Sequence, residues 1–244
     1  GLIVPTGATH AQPVASARSN ESFRVTAVLR HDDALNEAHD VELQADLAFV
    51  AGKGGSIAII DVADPRRPEL VWFRRDPEAL SDAETVLLAP GRLFLGTNDF
   101  HSIDVSNPRA PKFDATLADR TKIHTINGMV RRGDYLFAAN KRGLINAFDV
   151  SEPAAPKPAG VLDTKQWYGI AYPHDVDLFG PYLVVADPNR FGYGPGNLAL
   201  FRVFNEAGDL LPDTAWKLAG LVSGGALNGA NRVQVRGNYA FVAG

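Results

Sequence analysis

The fold of this chain is decided by one short stretch, IIDVADPRRP at residues 59–68, and by two further copies of it. The copies read IDVSNPRAP at 103–111 and FDVSEPAAP at 148–156, so an apolar run ending in Asp-Val is followed each time by two prolines. Proline has no N–H to donate within a central strand. The copies therefore indicate strands that end in proline turns, and their spacing predicts one structural unit repeated along the chain.

A second segment recurs upstream of these stretches. It reads DLAFVA, GRLFLG, DYLFAA, PYLVVA and NYAFVA, beginning at residues 46, 91, 134, 181 and 238. The first four copies are spaced by 43 to 47 residues, and the last follows after 57. With a shorter alternating run before each segment and another after the proline turn, a unit holds four strands, A to D. Four strands in this period predict an all-β fold, a β-propeller of four-stranded antiparallel blades.

The chain holds four complete units and part of a fifth. The fourth unit has Arg202-Val203 in place of Asp-Val and an insertion at 205–216, and the sequence stops just after strand B of the fifth. We expect a propeller domain over 22–244 that is incomplete at its C-terminus, from a parent of six to eight blades; the alternative is a five-bladed ring with a defective last blade. Residues 22–30 resemble a strand D, and we predict that they form the outermost strand of the final blade.

The three Asp-Val and proline stretches resemble those of the LVIVD-repeat proteins, a bacterial family named for its strand-C signature. The resemblance covers roughly residues 39–243 and is specific as to fold, because the strand, Asp-Val and double-proline turn recur in register. It implies a β-propeller that is often exported or attached to a cell surface. It implies no particular activity, since members of the family are largely uncharacterised.

Composition excludes several classes of function. The 244 residues carry a net charge of −4, so the basic surface that nucleic-acid binding requires is not expected. The chain has no cysteine, which excludes disulfides, thiolate catalysis and zinc-thiolate sites. No apolar stretch reaches the roughly 18 to 20 residues of a membrane-spanning helix.

The first 21 residues predict a flexible leader or the remnant of a signal peptide. The chain begins with Gly1, and small residues occupy the positions read by a signal peptidase in THA at 9–11 and ASA at 15–17. We therefore expect an extracytoplasmic protein, whether periplasmic, on the cell surface or secreted.

Five polar residues occupy equivalent places at the start of strand A, each eight residues before the second residue of the strand-B segment. They are His39, Glu84, Asn127, His174 and Asn231. Because strand A is innermost in a propeller, we expect these side chains to converge at the mouth of the central channel and bind a small polar ligand, or a divalent metal ion through His39, Glu84 and His174. Alternatively, they satisfy loop backbone groups and line a water-filled channel. The Asp that follows each His favours this packing role.

A second candidate site lies on the loops of the same face. The connection before the fourth unit carries Trp167 and Tyr168, and the long loop between its strands B and C carries Arg190 and Tyr193. Aromatic side chains with arginine on loops are typical of recognition surfaces. The alternative is that these aromatic side chains cap the ends of apolar blades.

Three functions remain open on this basis. The first is an exported binding or scaffold module that uses the loop face to hold a protein or glycan partner. The second is an enzyme with a metal or acid-base site at the channel mouth. The third is a structural part of a longer surface protein. No phosphate-binding loop or Gly-x-Ser-x-Gly nucleophile motif is present in the sequence.

Overall fold

The computed structural model describes residues 10–13, 24–188 and 194–244. The N-terminal part of this structure is a two-stranded antiparallel sheet of β1 (His10–Pro13) and β2 (Ala27–Arg30). It is followed by four antiparallel sheets of four strands each, in which every strand pairs with the next along the chain. A final two-stranded sheet ends the chain.

The strands of each four-stranded sheet are given in chain order, from strand A to strand D. The first sheet is made of β3 (Ala38–Gln44), β4 (Leu47–Gly52), β5 (Ser56–Asp61) and β6 (Glu69–Arg75). The second is made of β7 (Thr85–Ala89), β8 (Arg92–Gly96), β9 (Phe100–Asp104) and β10 (Lys112–Leu117). The third is made of β11 (Ile126–Arg132), β12 (Tyr135–Asn140), β13 (Leu144–Asp149) and β14 (Lys157–Asp163).

The one α-helix of the described residues, α1 (Thr164–Tyr168), connects the third sheet to the fourth. The fourth sheet is made of β15 (Asp175–Phe179), β16 (Tyr182–Asp187), β17 (Asn197–Arg202) and β18 (Lys217–Ser223). Short 3-10 turns at Asp213–Ala215 and Gly225–Leu227 flank β18. The final sheet pairs β19 (Arg232–Arg236) with β20 (Tyr239–Ala243).

The five sheets are blades arranged around a central channel. Their first strands, β3, β7, β11, β15 and β19, lie against one another in chain order. Side chains from all five first strands line a central space of about 570 Å³. The prediction of a propeller with four complete blades and part of a fifth is therefore confirmed.

The core of the molecule lies between successive blades. Between the first and second blades, Phe49 and Ile59 pack with Val86 and Leu95, and the later blades are joined in the same way. In the four full blades strand B is covered on both faces, which explains its almost continuous apolar sequence. Strand D is covered on one face only, so β10 alternates exposed and half-buried residues.

The repeated Asp-Val motif has a local structural cause. The carboxylates of Asp61, Asp104 and Asp149 each accept a hydrogen bond from the backbone N–H two residues later, at 2.8 to 2.9 Å. Such Asx turns reverse the chain between strands C and D. In the fourth blade, which has Arg202 instead, the insertion forms its own turn and buries Trp216 in the core.

The prediction that residues 22–30 form the outermost strand of the final blade stays a prediction, since only two strands of that blade lie in the described residues. Ala27–Arg30 pairs with His10–Pro13 rather than with β19 or β20. Leu29 of this strand packs on the open face of the first blade beside Ala48 and Val50.

Residues 1–9 and 14–23 lie outside the described part, so the leader over residues 1–21 stays a prediction. The same holds for completion of the domain over 22–244 by further blades. None of the helices in the described residues is both long and apolar enough to cross a membrane.

Candidate functional site

The five predicted polar residues lie at one end of the channel, where the first strand of each blade begins. His39 and Asn127 lie within β3 and β11, whereas Glu84, His174 and Asn231 directly precede β7, β15 and β19. Glu84, Asn127 and His174 are buried, while His39 and Asn231 are half-buried. We call this end of the channel the mouth.

Both histidines of the mouth are fixed by hydrogen bonds to the next blade. Nδ1 of His39 donates to the backbone oxygen of Glu84 at 2.8 Å, and Nδ1 of His174 donates to the backbone oxygen of Asn231 at 2.8 Å. A carbonyl oxygen can only accept, so Nδ1 carries the proton in each ring. In the neutral ring this leaves Nε2 as an acceptor. Burial lowers the pKa of His174 to about 4, so this ring is neutral at pH 7.

The aspartate after each histidine makes a second bond between blades. Asp40 accepts hydrogen bonds from the Thr85 hydroxyl and the Val86 N–H, both at 3.0 Å. In the fourth blade, Asp175 accepts from the Val233 N–H at 2.9 Å. Each His-Asp pair thus links two successive blades, which supports the packing role that the sequence left open.

Asp175 itself has a perturbed acidity. Burial raises the pKa of this carboxyl to about 6, against the opposing effects of the Val233 N–H and the Arg232 guanidinium.

Glu84 connects three blades through two lysines. Its carboxylate is fully buried, with Lys53 of the first blade 3.3 Å away and Lys141 of the third blade in direct contact. Nε2 of His39 lies 3.8 Å from the other carboxylate oxygen. Burial acts to raise the pKa of Glu84, but the hydrogen bond and charge of Lys141, with the charges of Lys53 and His39, outweigh burial and lower it.

Two buried groups of the mouth have no hydrogen-bond partner within residues 10–13, 24–188 and 194–244. These are both amide atoms of Asn127 and the Oε2 oxygen of Glu84. A buried polar atom without a partner is costly, and such atoms are normally satisfied by water or a ligand.

An open cavity of about 610 Å³ lies at the mouth, between the first, fourth and fifth blades. It is lined by His39, Lys53, His174, Pro188, Asn228, Gly229, Asn231 and Arg232. This is within the usual range of roughly 300 to 1,000 Å³ for small-molecule sites. Three of the five predicted mouth residues therefore border one cavity, while Glu84 and Asn127 are buried deeper in the protein.

The predicted metal ligands are His39, Glu84 and His174. Within the described ranges, no group of three or more histidine, aspartate or glutamate side chains is placed to hold a metal ion. The Oε1 oxygen of Glu84 instead faces two ammonium groups. The metal site stays a prediction, without a group of ligands in these residues to support it.

The predicted rim residues fall into three groups. Trp167 on α1 is 67% exposed, whereas Tyr168 is half-buried and packs edge-on against the Phe201 ring with 5.2 Å between ring centroids. Arg190 and Tyr193 lie outside the described residues. Of the four predicted rim residues, Trp167 is therefore the one described residue with an exposed aromatic side chain. Tyr168 fits the blade-capping alternative.

Several residues of the mouth were missed by the sequence analysis. Lys53 and Lys141 lie at equivalent positions, each directly after the second strand of its blade, and this shared position was a usable signal. A third residue that was missed is Arg232, the first residue of β19. Its guanidinium lies 3.3 Å from Asp40 and 3.9 Å from Asp175, and nothing in the local sequence pattern indicated this pairing.

The blades, the central channel and the polar mouth define the class of this chain: it is a β-propeller. More particularly, the family model of the LVIVD repeat matches residues 36–72 and 229–244. We found no significant match among curated proteins.

Solved structures with low sequence identity share the fold. The computationally designed Ika8 protein matches with a TM-score of 0.54 at 11% identity, covering 84% of this chain and 67% of that one. A chain of the mitotic checkpoint complex matches with a TM-score of 0.58 at 9% identity, covering 79% and 55%. BamB from Moraxella catarrhalis matches with a TM-score of 0.52 at 13% identity, covering 84% and 54%. This chain thus spans little more than half the length of the last two.

Proposed function

We propose that this chain is the propeller of an exported, non-catalytic binding module that holds a protein or glycan partner on the face carrying the mouth. The observation that carries the proposal is the mouth cavity, which is open to solvent while its two histidines are fixed by bonds between blades. Side chains held in one geometry before binding lose little entropy on binding. Such preorganised groups beside an open cavity are suited to recognition.

Trp167 supports the choice of this face. It lies on α1, which connects the end of one blade to the first strand of the next and so lies on the mouth side. The Asp163 carboxylate caps the start of this helix, Gly169 ends it in a left-handed conformation, and the Thr164 hydroxyl donates to nearby backbone oxygens at 2.9 Å. A large exposed aromatic side chain on a fixed backbone is a typical anchor for a partner.

Two further observations support the other parts of the proposal. The THA and ASA patterns at 9–11 and 15–17 favour export. A chain of similar structure belongs to the mitotic checkpoint complex, which supports a protein as one class of partner.

The proposal is tested on a printed array of defined neutral and acidic oligosaccharides and peptides, probed with the labelled chain. We expect binding to at least one probe, and loss of that binding in Trp167→Ala. Tyr239→Ala is the matched control, because Tyr239 is a similarly exposed aromatic residue at the opposite end of the final blade. Absence of binding to every probe, or equal losses in the two variants, would refute the proposal.

A further inference from the structure

The groups around the mouth cavity favour one chemical class of ligand. Lys53 of the first blade and Lys141 of the third share the single carboxylate of Glu84, so one positive charge of this cluster has no counter-charge among the described residues. Lys53 borders the cavity, whereas the guanidinium of Arg232, another cavity residue, is already paired with Asp40 and Asp175. Ammonium and guanidinium groups bind carboxylates through charge-assisted hydrogen bonds. One side of the ligand is therefore expected to be an anion.

A second part of the cavity requires hydrogen-bond donors from the ligand. His174 borders the cavity, and its Nδ1 is already used in the bond to the backbone oxygen of Asn231. The remaining ring nitrogen has no hydrogen-bond partner among the described residues, and it is an acceptor that a hydroxyl group can satisfy and a carboxylate cannot.

Another residue of the cavity, Asn228, supplies a neutral hydrogen-bond donor. The side-chain oxygen of Asn228 accepts from the Gly196 N–H at 2.7 Å, which orients the amide of this cavity residue. Its NH₂ group is left to donate to an oxygen of the ligand. The cavity thus combines cations, a bare imidazole acceptor and an amide donor, a set that matches a molecule with both hydroxyl and carboxylate groups.

We infer that the mouth cavity takes an acidic sugar, a hexuronic acid residue of an acidic glycan, with its carboxylate toward Lys53 and a ring hydroxyl donating to His174. The inference rests on the proposed function and names the ligand class for the same face. A volume of about 610 Å³ accommodates one or two sugar rings, whereas a lone inorganic anion would leave most of it unfilled.

The test is isothermal titration calorimetry of the chain with galacturonic acid and its disaccharide, beside galactose and an aspartate-rich peptide. We expect the two acids to bind. Galactose should bind at least about tenfold more weakly, because it lacks the charged group. Lys53→Met should weaken the acids about tenfold, whereas Lys217→Met, on an outermost strand, should leave them unchanged. His174→Asn keeps a donor toward Asn231 but removes the Nε2 acceptor, and should weaken the sugars without affecting the peptide.

The outcomes separate this inference from the proposed function. Equal binding of galactose and galacturonic acid, or binding of the peptide alone, overturns the acidic-sugar inference and leaves a binding module. If no sugar binds but the array still shows binding that depends on Trp167, the inference also fails alone. If no probe binds in either experiment, both fail. Urea unfolding of each variant identifies any loss that is due to unfolding.

Discussion

Arg232 and Asp40 are 192 positions apart in the sequence, yet Nη2 of the arginine lies 3.3 Å from Oδ1 of the aspartate. The same guanidinium lies 3.9 Å from the carboxylate of Asp175. The contact joins the fifth blade to the first across the channel and to its neighbour, the fourth. It brings the two ends of the series of blades together at the mouth.

We expect Arg232→Ala to lower the free energy of unfolding by about 1 kcal/mol, since the pair is charge-assisted but the arginine is partly exposed. Arg236→Ala is the control, because the Arg236 guanidinium donates to the backbone oxygen of the adjacent Val235. Urea unfolding followed by circular dichroism measures both. Equal effects of the two substitutions would show that the contact across the channel contributes nothing specific.

Packing between the third and fourth blades leaves no room for a side chain at Gly128. A Cβ atom there would lie 2.2 Å from Oδ1 and 2.8 Å from the backbone Cα of Asp175. We expect Gly128→Ala to cost about 2–3 kcal/mol of unfolding free energy, because backbone must move. Gly220→Ala, whose Cβ would meet only the Leu200 Cβ at 4.0 Å, should change stability little. A tolerated Gly128→Ala in chemical denaturation would contradict this packing.

The turns between strands C and D predict a small, chemically specific effect. Asp149→Ala removes the acceptor of the Ser151 N–H and should lower the thermal midpoint by about 1–2 °C. Asp149→Asn retains an acceptor oxygen and should behave like the unsubstituted chain. Scanning calorimetry distinguishes them, and an equal loss in both variants would mean that charge rather than the turn hydrogen bond matters.

His174 and Asp175 predict opposite dependences of stability on pH. The pKa of His174 falls from 6.5 to about 4 on folding, so between these values the unfolded chain binds more protons and this residue makes stability rise with pH. The pKa of Asp175 rises from 3.8 to about 6, so the folded chain binds more protons there and this residue makes stability fall as pH rises. Each contributes a slope of up to about 1.4 kcal/mol per pH unit.

The two slopes are separated by urea unfolding between pH 4 and 7. The difference in unfolding free energy between the original chain and His174→Asn should grow as pH rises from 4 to 6.5. The difference in unfolding free energy between the original chain and Asp175→Asn should shrink as pH rises from 4 to 6. A constant difference in either comparison would show that the corresponding pKa is not shifted.

Much of the fold could be predicted because it depends on local patterns. The Asp61 turn and its copies, the apolar second strands and their spacing were enough to place the strands of the four full blades. The repeat also placed His39, Glu84, Asn127, His174 and Asn231 at one end of the channel, since equivalent positions in a propeller share a ring.

The contacts within the mouth could not be predicted in the same way. Whether Lys53 and Lys141 both reach Glu84 depends on the distance between loops of three different blades, which no local pattern encodes. The pairing of β2 with β1 was not predicted for a similar reason, because the sequence of β2 is compatible with any free strand edge. Asn127 matched the ring by position, but only the structure shows that its amide has no partner among the described residues.

The central claim is that His174 is fixed by a bond between blades and borders an open cavity with an Nε2 that has no hydrogen-bond partner among the described residues. Imidazole nitrogen NMR of ¹⁵N-labelled protein at pH 7 tests it most directly, because protonated and unprotonated ring nitrogens have well-separated chemical shifts. We predict that His174 is neutral and protonated at Nδ1, and that galacturonic acid shifts its Nε2 resonance. A His174 ring protonated at Nε2, or one insensitive to every probe that binds the chain, would contradict the account.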